Sequence, residues 1–424
     1  MGKKIVKIKI LQKEITDKWR TIKLSSIFEF KNGLNKEKKF FGHGTPIINY
    51  MDVNRGGGLY ARNILGRVDV NQSELSRFNV KRGDVFFTRT SETLDEIGLS
   101  AVALDDFKNT VFSGFVLRAR PKENLLVPEY AQYCFRSSLV RKEIMEKSSY
   151  TTRALTSGAL LNHVRINLPP LPEQNRIAAV LETWDQAIEK LTKKIEIKKN
   201  VKKSLMRELF MERSRIVGFK NGWKQVRIDS FCKIKRGGSP RPIESYMTDE
   251  ETGLNWLKIG DISKESRYIK RTTGKIRKEG LSKTTVVREG DFILSNSMSF
   301  GRPYIMKTTA CIHDGWLALQ DISDEVNKSF LYYLLSSESV QNKFKSISAG
   351  SGVLNLKKES VAQITIQLPD IDEQMMIAGI LSIADDEIEK LEEKISLFFN
   401  QKKYLLNNLL TGTIPTPESL STVN

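Results

Sequence analysis

The sequence predicts an α+β protein with an internal repeat: two α/β domains separated by two long antiparallel helices that form a coiled coil about a pseudo-twofold axis. Three observations predict it. One segment returns 200 residues downstream in a single register, heptad periodicity fills that segment, and short β-rich stretches with turn signals fill what precedes each copy.

The repeat opens with Leu168-Pro-Pro-Leu-Pro-Glu-Gln174, which returns as Leu368-Pro-Asp-Ile-Asp-Glu-Gln374. Ile177-Ala178 answers Ile377-Ala378, Asp185 answers Asp385, and Ile188-Glu-Lys-Leu191 answers Ile388-Glu-Lys-Leu391. Chance similarity would not hold one register through Lys202-Lys203 and Lys402-Lys403. Upstream the match is looser: Trp19-Arg-Thr-Ile-Lys-Leu24 with Trp223-Lys-Gln-Val-Arg-Ile228, and Arg82-Gly-Asp-Val-Phe-Phe87 with Glu289-Gly-Asp-Phe-Ile-Leu294. The expected parts are a first domain over 1–171, a central helix over 172–214, a second domain over 215–371, a C-terminal helix over 372–412 and a tail over 413–424.

In the central helix the apolar positions step by three and four through Leu181, Trp184, Ile188, Leu191 and Ile195, then Leu205 and Leu209. The second copy runs Leu381, Ala384, Ile388, Leu391, Ile395, Phe398, Leu405, Leu409. Each stripe is narrow, and the two are matched in length, so they are expected to cover one another. Lys198 and Lys202 fall inside the stripe and are read as stems that carry their charge out to water, or as a break for a partner. Pro172, Asp372, Glu173 and Glu373 suit helix starts, and Gly412 and Pro415 suit an end. A helix of this size spans about 55 Å, more than a small core needs, so both helices are expected to act as spacers.

Before each helix, strands are expected around Pro46-Ile-Ile-Asn-Tyr50, Asp84-Val-Phe-Phe-Thr88, Phe115-Val-Leu-Arg118 and Asp291-Phe-Ile-Leu-Ser295. Lys31-Asn-Gly33, Gly56-Gly-Gly58 and Lys235-Arg-Gly-Gly-Ser-Pro240 mark turns. One amphipathic helix is expected late in each domain, near 128–147 and 326–345.

Lysine and arginine number 68 against 50 acids, a net charge of +18, which points to an anionic partner and above all to nucleic acid. Cys134, Cys232 and Cys311 are scattered, with no metal or redox spacing, and are expected to be buried thiols in a reducing compartment. The N-terminal alternation of lysine and isoleucine lacks the apolar core of a signal peptide, and no apolar run reaches the length of about eighteen residues a membrane span needs. A cytoplasmic protein is expected.

Catalytic motifs are missing from the sequence. There is no P-loop. Asn167-Leu-Pro-Pro170 misses an adenine-gripping Asn-Pro-Pro-aromatic loop by one leucine and reads as a strand exit before a helix. Pro369-Asp370 lacks the acid-x-lysine strand of a nuclease. His43, His163 and His313 have no ligand spacing and are read as structural, so neither metal nor cofactor is expected.

On the two Leu-Pro-x-x-x-Glu-Gln segments, the tryptophan near each domain start and the Gly-Asp turn before each strand, the chain resembles the DNA specificity subunits of Type I restriction-modification systems, over nearly its whole length. The second signature departs from the family pattern, with Asp370 in place of proline. The resemblance implies two target-recognition domains, each reading one half of a bipartite double-stranded DNA site, with the paired helices setting the gap. It implies two adenine-N6 methyltransferase subunits and two restriction subunits as partners, which would hold the methyl donor and ATP. Two rival readings are a fused methyltransferase-endonuclease and a coiled-coil scaffold that binds nucleic acid through charge alone.

Base reading needs polar side chains on protruding loops. In the first domain the candidates are Lys31, Asn32, Asn35, Lys36, Arg89, Thr90, Ser91 and Tyr150 to Arg153. In the second they are Lys235, Arg236, Ser239, Arg241, Asn296, Ser297, Ser299, Arg302 and the loop Ser348 to Gly352. The basic stretch Lys193 to Arg207 could track phosphates, face solvent or dock a partner.

Overall fold

A computed structural model of the chain describes residues 19–211, 216–219, 221–262, 266–296, 301–349 and 356–419. It divides into two compact units, residues 1–192 with 394–424 and residues 193–393. Both boundaries fall inside a long helix, Leu171–Leu209 or Ile371–Leu409. Each unit therefore holds one domain, the start of the helix that follows it and the end of the other helix.

In the first unit, Arg20–Lys23 pairs antiparallel with Arg165–Leu168, tying the beginning of the domain to its exit beside the helix start. The main sheet runs Phe28–Asn32, Val116–Pro121, Val85–Thr88, Ser100–Ala103, Gly57–Leu59; only the last pairing is parallel. Its three central strands are buried at nearly every position because both faces are covered. Val85, Phe87, Val102, Leu117 and Ala119 enter one core, while Phe86, Ala101, Ala103 and Val116 enter a second on the opposite face. A side sheet of Arg67–Val68, Phe41–Ile48 and Val111–Phe112 lies in the same domain.

The second unit repeats this plan. Lys224–Arg227 pairs with Thr365–Leu368, and the main sheet runs Lys233–Arg236, Trp316–Gln320, Phe292–Ser295, Pro303–Met306, Tyr268–Ile269, again with only the last pair parallel. Phe292, Leu294, Leu317 and Leu319 face one core, and Ile293, Trp316 and Ala318 the other. The side sheet here has five strands, Met247–Thr248, Gly274–Ile276, Leu254–Leu257, Ala310–Ile312 and Thr285–Val287.

The Gly-Asp turn before the central strand has one cause in both copies. Gly83 and Gly290 take φ of 87° and 86°, which a side chain would oppose, and Asp84 and Asp291 accept from the amides of Lys81 at 2.7 Å and Arg288 at 2.8 Å. The late helix of each domain is a pair rather than one: Pro128–Cys134 with Ser138–Lys147, and Lys328–Ser336 with Glu338–Ala349. Ser137 and Ser337 break it. Their hydroxyls donate to Cys134 and Leu334 carbonyls and accept from the Val140 and Val340 amides, so each serine ends one helix and caps the next.

Each long helix has 39 residues, about 58 Å at 1.5 Å per residue. Within the first unit they run antiparallel: Trp184 meets Phe398 edge to face at 5.2 Å between ring centres, and Arg176 donates to Thr416 Oγ1 at 3.0 Å. Within the second, Lys198 pairs with Glu387 at 2.8 Å and Lys199 with Glu392 at 2.6 Å. Ile188, Leu191, Ile195 and Ile388 are buried, and Leu391, Ile395 and Phe398 half-buried.

The ends of the apolar stripe have a further task. Leu181, Leu409 and Leu405 join the first domain's core with Ile177, Ala178, Leu406 and Leu410. Leu381, Leu209 and Leu205 join the second with Ile377, Ala378, Met206 and Phe210. Both domain cores are thus completed by the last turns of the other copy's helix.

Candidate nucleic-acid interface

The Glu-Gln pair of the repeated signature is a clamp. Gln174 is fully buried; its Oε1 accepts from the Val127 amide at 2.8 Å, and its Nε2 donates to the carbonyls of Leu125 and Pro169, each at 2.9 Å. Gln374 does the same with Asn327 at 2.8 Å, Glu325 at 3.0 Å and Pro369 at 2.8 Å. Beside it, Glu173 accepts from the Trp19 indole at 3.0 Å and Glu373 from Trp223 at 3.1 Å. Both distant parts of the sequence signature, the tryptophan and the Glu-Gln, therefore meet at the helix start.

About three turns further along, a second linkage holds helix to helix. Tyr133 donates to Asp185 Oδ2 at 2.7 Å, and Asp185 Oδ1 accepts from Lys402, whose ammonium lies 5.5 Å from the Tyr133 ring centre. In the other unit Tyr333 donates to Asp385 at 2.6 Å, and Lys202 fills the place of Lys402. Burial, with Asp185 and Asp385 adding, holds both phenols far above their usual range, so they remain donors. Lys202 and Lys198, which break the apolar stripe, are partners of Asp385 and Glu387.

The loops sit at one end of the strands of each main sheet, on the same frame in both domains. Gly33 and Gly237 end the edge strand where a Cβ would come within 2.1 Å of the Ser113 carbonyl oxygen or 2.0 Å of that of His313, so only glycine fits. Arg89 and Asn296, following the central strand, brace the adjoining turn: Arg89 Nη1 donates to the Gly114 carbonyl at 2.8 Å and Asn296 Nδ2 to that of Asp314 at 2.7 Å.

Lys31, Asn32 and Arg89 line one groove with Lys122 and Asn162. Asn35 is exposed beside them, whereas Lys36 is held by Glu74 at 2.7 Å and by the Asp69 carbonyl at 2.7 Å. Thr90 is half-buried and Ser91 buried, on a short strand paired with Ala154–Leu155 of the hairpin that begins at Ser149–Tyr150. Arg153 is exposed at that hairpin's turn, 3.7 Å from Glu92.

In the second domain four candidates converge on Asp314. Ser239 donates to its Oδ1 at 2.7 Å, Arg241 lies 3.7 Å from Oδ2, and Arg236 Nε reaches its carbonyl at 3.4 Å, beside Asn296. The Ser239 hydroxyl holds the Asp314 carboxyl below its usual range. Lys235 is exposed on the same strand. Arg302 stands apart, in a cleft lined by Lys199, Lys203, Arg207 and Lys345. Ser297 and Ser299 lie outside the described residues, as do positions 350–352; Ser348 belongs to the helix Glu338–Ala349. In the stretch Lys193 to Arg207, Lys198, Lys199 and Lys202 pair with acids of the second long helix, and Arg207 with Glu338 at 3.0 Å.

Sequence reasoning passed over Asp314 and Phe115. Their signal was the turn that precedes the strand lying between the edge strand and the central strand, whose position in space only the sheet order supplies.

Among the described residues no group of three or more His, Cys, Asp or Glu side chains could hold a metal ion, and no helix is long and apolar enough to cross a membrane. The three thiols are buried, and desolvation pushes them up to about 12 for Cys134 and Cys232 and about 11 for Cys311. Iodoacetamide at pH 8 is expected to leave all three unmodified in the folded chain and to alkylate all three in guanidinium, as counted by intact mass. Rapid native labelling of any one would contradict the burial.

Two loop-bearing α/β domains of one plan, each clamped to a long helix, define a duplicated recognition protein. Residues 16–199 and 220–397 both match the family described as Type I restriction modification DNA specificity domain, and the chain belongs to that family as a specificity subunit, the non-catalytic component that directs the enzyme complex. A Methanocaldococcus jannaschii protein described as a putative Type I restriction enzyme MjaX specificity subunit is 27% identical over 421 residues, covering 95% of each chain. The crystal structure of the Type I S subunit from M. genitalium has a similar fold, with TM-score 0.54 and 18% identity over 92% of this chain and 96% of that one. A structure solved for assembly and conformational transition of the Type I system gives TM-score 0.64 and 18% identity, covering 93% and 98%.

Proposed function

We propose that each domain reads one half of a bipartite duplex site and that the paired helices set the gap between the halves. The chain would work in the cytoplasm with two adenine-N6 methyltransferase subunits and two restriction subunits. One observation supports the reading most: the two domains carry loops at corresponding strand ends, residues 31–36 and 235–241, 89 and 296, 113–115 and 313–315, on the same sheet frame but with different side chains. Equal frames with unequal edges suit two readers of unequal sequences.

Selection from a random duplex pool, using the chain with its methyltransferase partner, is expected to return a two-part motif. Changing Arg236 and Arg241 to alanine should relax one half only, by about 1–3 kcal/mol per lost base contact. Equal affinity for all duplexes with a steep salt slope would favour the charge-only scaffold. Methyl transfer by the chain alone would favour the fused enzyme.

A further inference from the structure

We propose that Phe115 is an aromatic wedge of the first domain, which stacks on or between bases of its half-site and makes the ease of unstacking at that step part of recognition. The proposal rests on the DNA-reading assignment above.

Phe115 is 68% exposed, although a phenylalanine normally gains by burial. Alternation along the strand does not account for it, since Val116 and Leu117, on opposite faces, are both buried. The turn that carries it is not loose. Gly114 N donates to the Leu34 carbonyl at 2.8 Å, Phe115 N to Ser113 Oγ at 3.3 Å, and Val116 N to the Ser113 carbonyl at 3.0 Å. Arg89 holds the turn from the other side, its amide donating to the Phe115 carbonyl at 3.3 Å and its guanidinium to the Gly114 carbonyl. Asn35 closes in so tightly that a Cβ on Gly114 would stand 1.8 Å from its Oδ1. The backbone is fixed while the ring is left out, so little ordering remains to oppose contact.

Its surroundings are those of a nucleic-acid contact. Arg89 bridges the turn to the groove that also holds Lys31 and Asn32, and apolar side chains flanked by such cations and amides are the ones that enter a base step. In the second domain Gly315 takes the position of Phe115 in the same frame, where Asn296 N donates to its carbonyl at 3.0 Å, so no side chain projects from that position. The effect therefore belongs to one half-site.

The test uses the full chain with its methyltransferase partner and a random-sequence duplex pool, for the wild type, F115A and F115W. The wild type is expected to select a two-part motif. F115A should lose its preference at one step in one half and bind the wild-type motif about tenfold more weakly, and F115W should retain both. 2-Aminopurine at that step should brighten with the wild type and stay dark with F115A. The proposal is overturned if F115A selects the same motif with the same affinity, or if its only defect is weaker assembly with the methyltransferase, which would make the ring a protein contact. A wild type that selects no two-part motif overturns DNA reading and the wedge with it.

Discussion

Gln174→Glu is expected to destabilise the first unit by about 3–5 kcal/mol, although it changes one atom, because a carboxylate oxygen would then replace a nitrogen that donates to two carbonyls. The remaining oxygen could still accept from Val127, but the other would face Leu125 and Pro169 at 2.9 Å with no proton to offer. Protonation would restore one donor, so the folded variant should hold its carboxyl above the unfolded value of about 4.3. The sign follows: the deficit is smallest below that value, widens as pH rises toward the raised folded value and is constant beyond it. Gln374→Glu should act likewise on the second unit through Glu325 and Pro369. Urea melts of both variants between pH 4 and 8, with hydrogen exchange assigning the loss to a unit, check this. A deficit below about 1 kcal/mol, typical of a surface change, would mean that the amide is no clamp.

Asp185→Lys is expected to cost about 2–4 kcal/mol in the same unit. It removes the acceptor of Tyr133 and sets a second ammonium against Lys402, in a half-buried site where screening is incomplete. Lys402→Asp alone should also be harmful, by placing two carboxylates together. Combined, the two changes should recover a large part of the loss, since the charges are merely exchanged between helices; the phenol would still lack its original acceptor. A double-mutant cycle by denaturation measures the coupling. A cycle that closes with no coupling would leave the antiparallel register of these helices to their apolar residues alone.

The parts legible in the sequence were those with a period. Heptads extend over both helices, and the 200-residue displacement ties Asp185 to Asp385 and Lys202 to Lys402 without any coordinates. The significance of Glu-Gln was hidden because its partners lie far back in the chain, at Trp19, Leu125 and Val127. Strands such as Arg67–Val68 and Met247–Thr248 are too short to carry an alternation, so the side sheets could not be anticipated. At the loops the sequence supplied polar residues but not their direction. Arg89 and Asn296 suit base reading by their position in the sequence, and in the structure each also spends a hydrogen bond on the turn beside it.

The completion of each core by the far copy's helix has a consequence for synthesis. The ribosome delivers the first domain long before Leu405, Leu409 and Leu410 exist, so its apolar face must wait uncovered while the entire second domain is made. The second domain has no such delay, because Leu205, Leu209 and Phe210 have already emerged when its own strands appear. Nascent chains stalled before position 400 should therefore attract chaperones chiefly through the first domain.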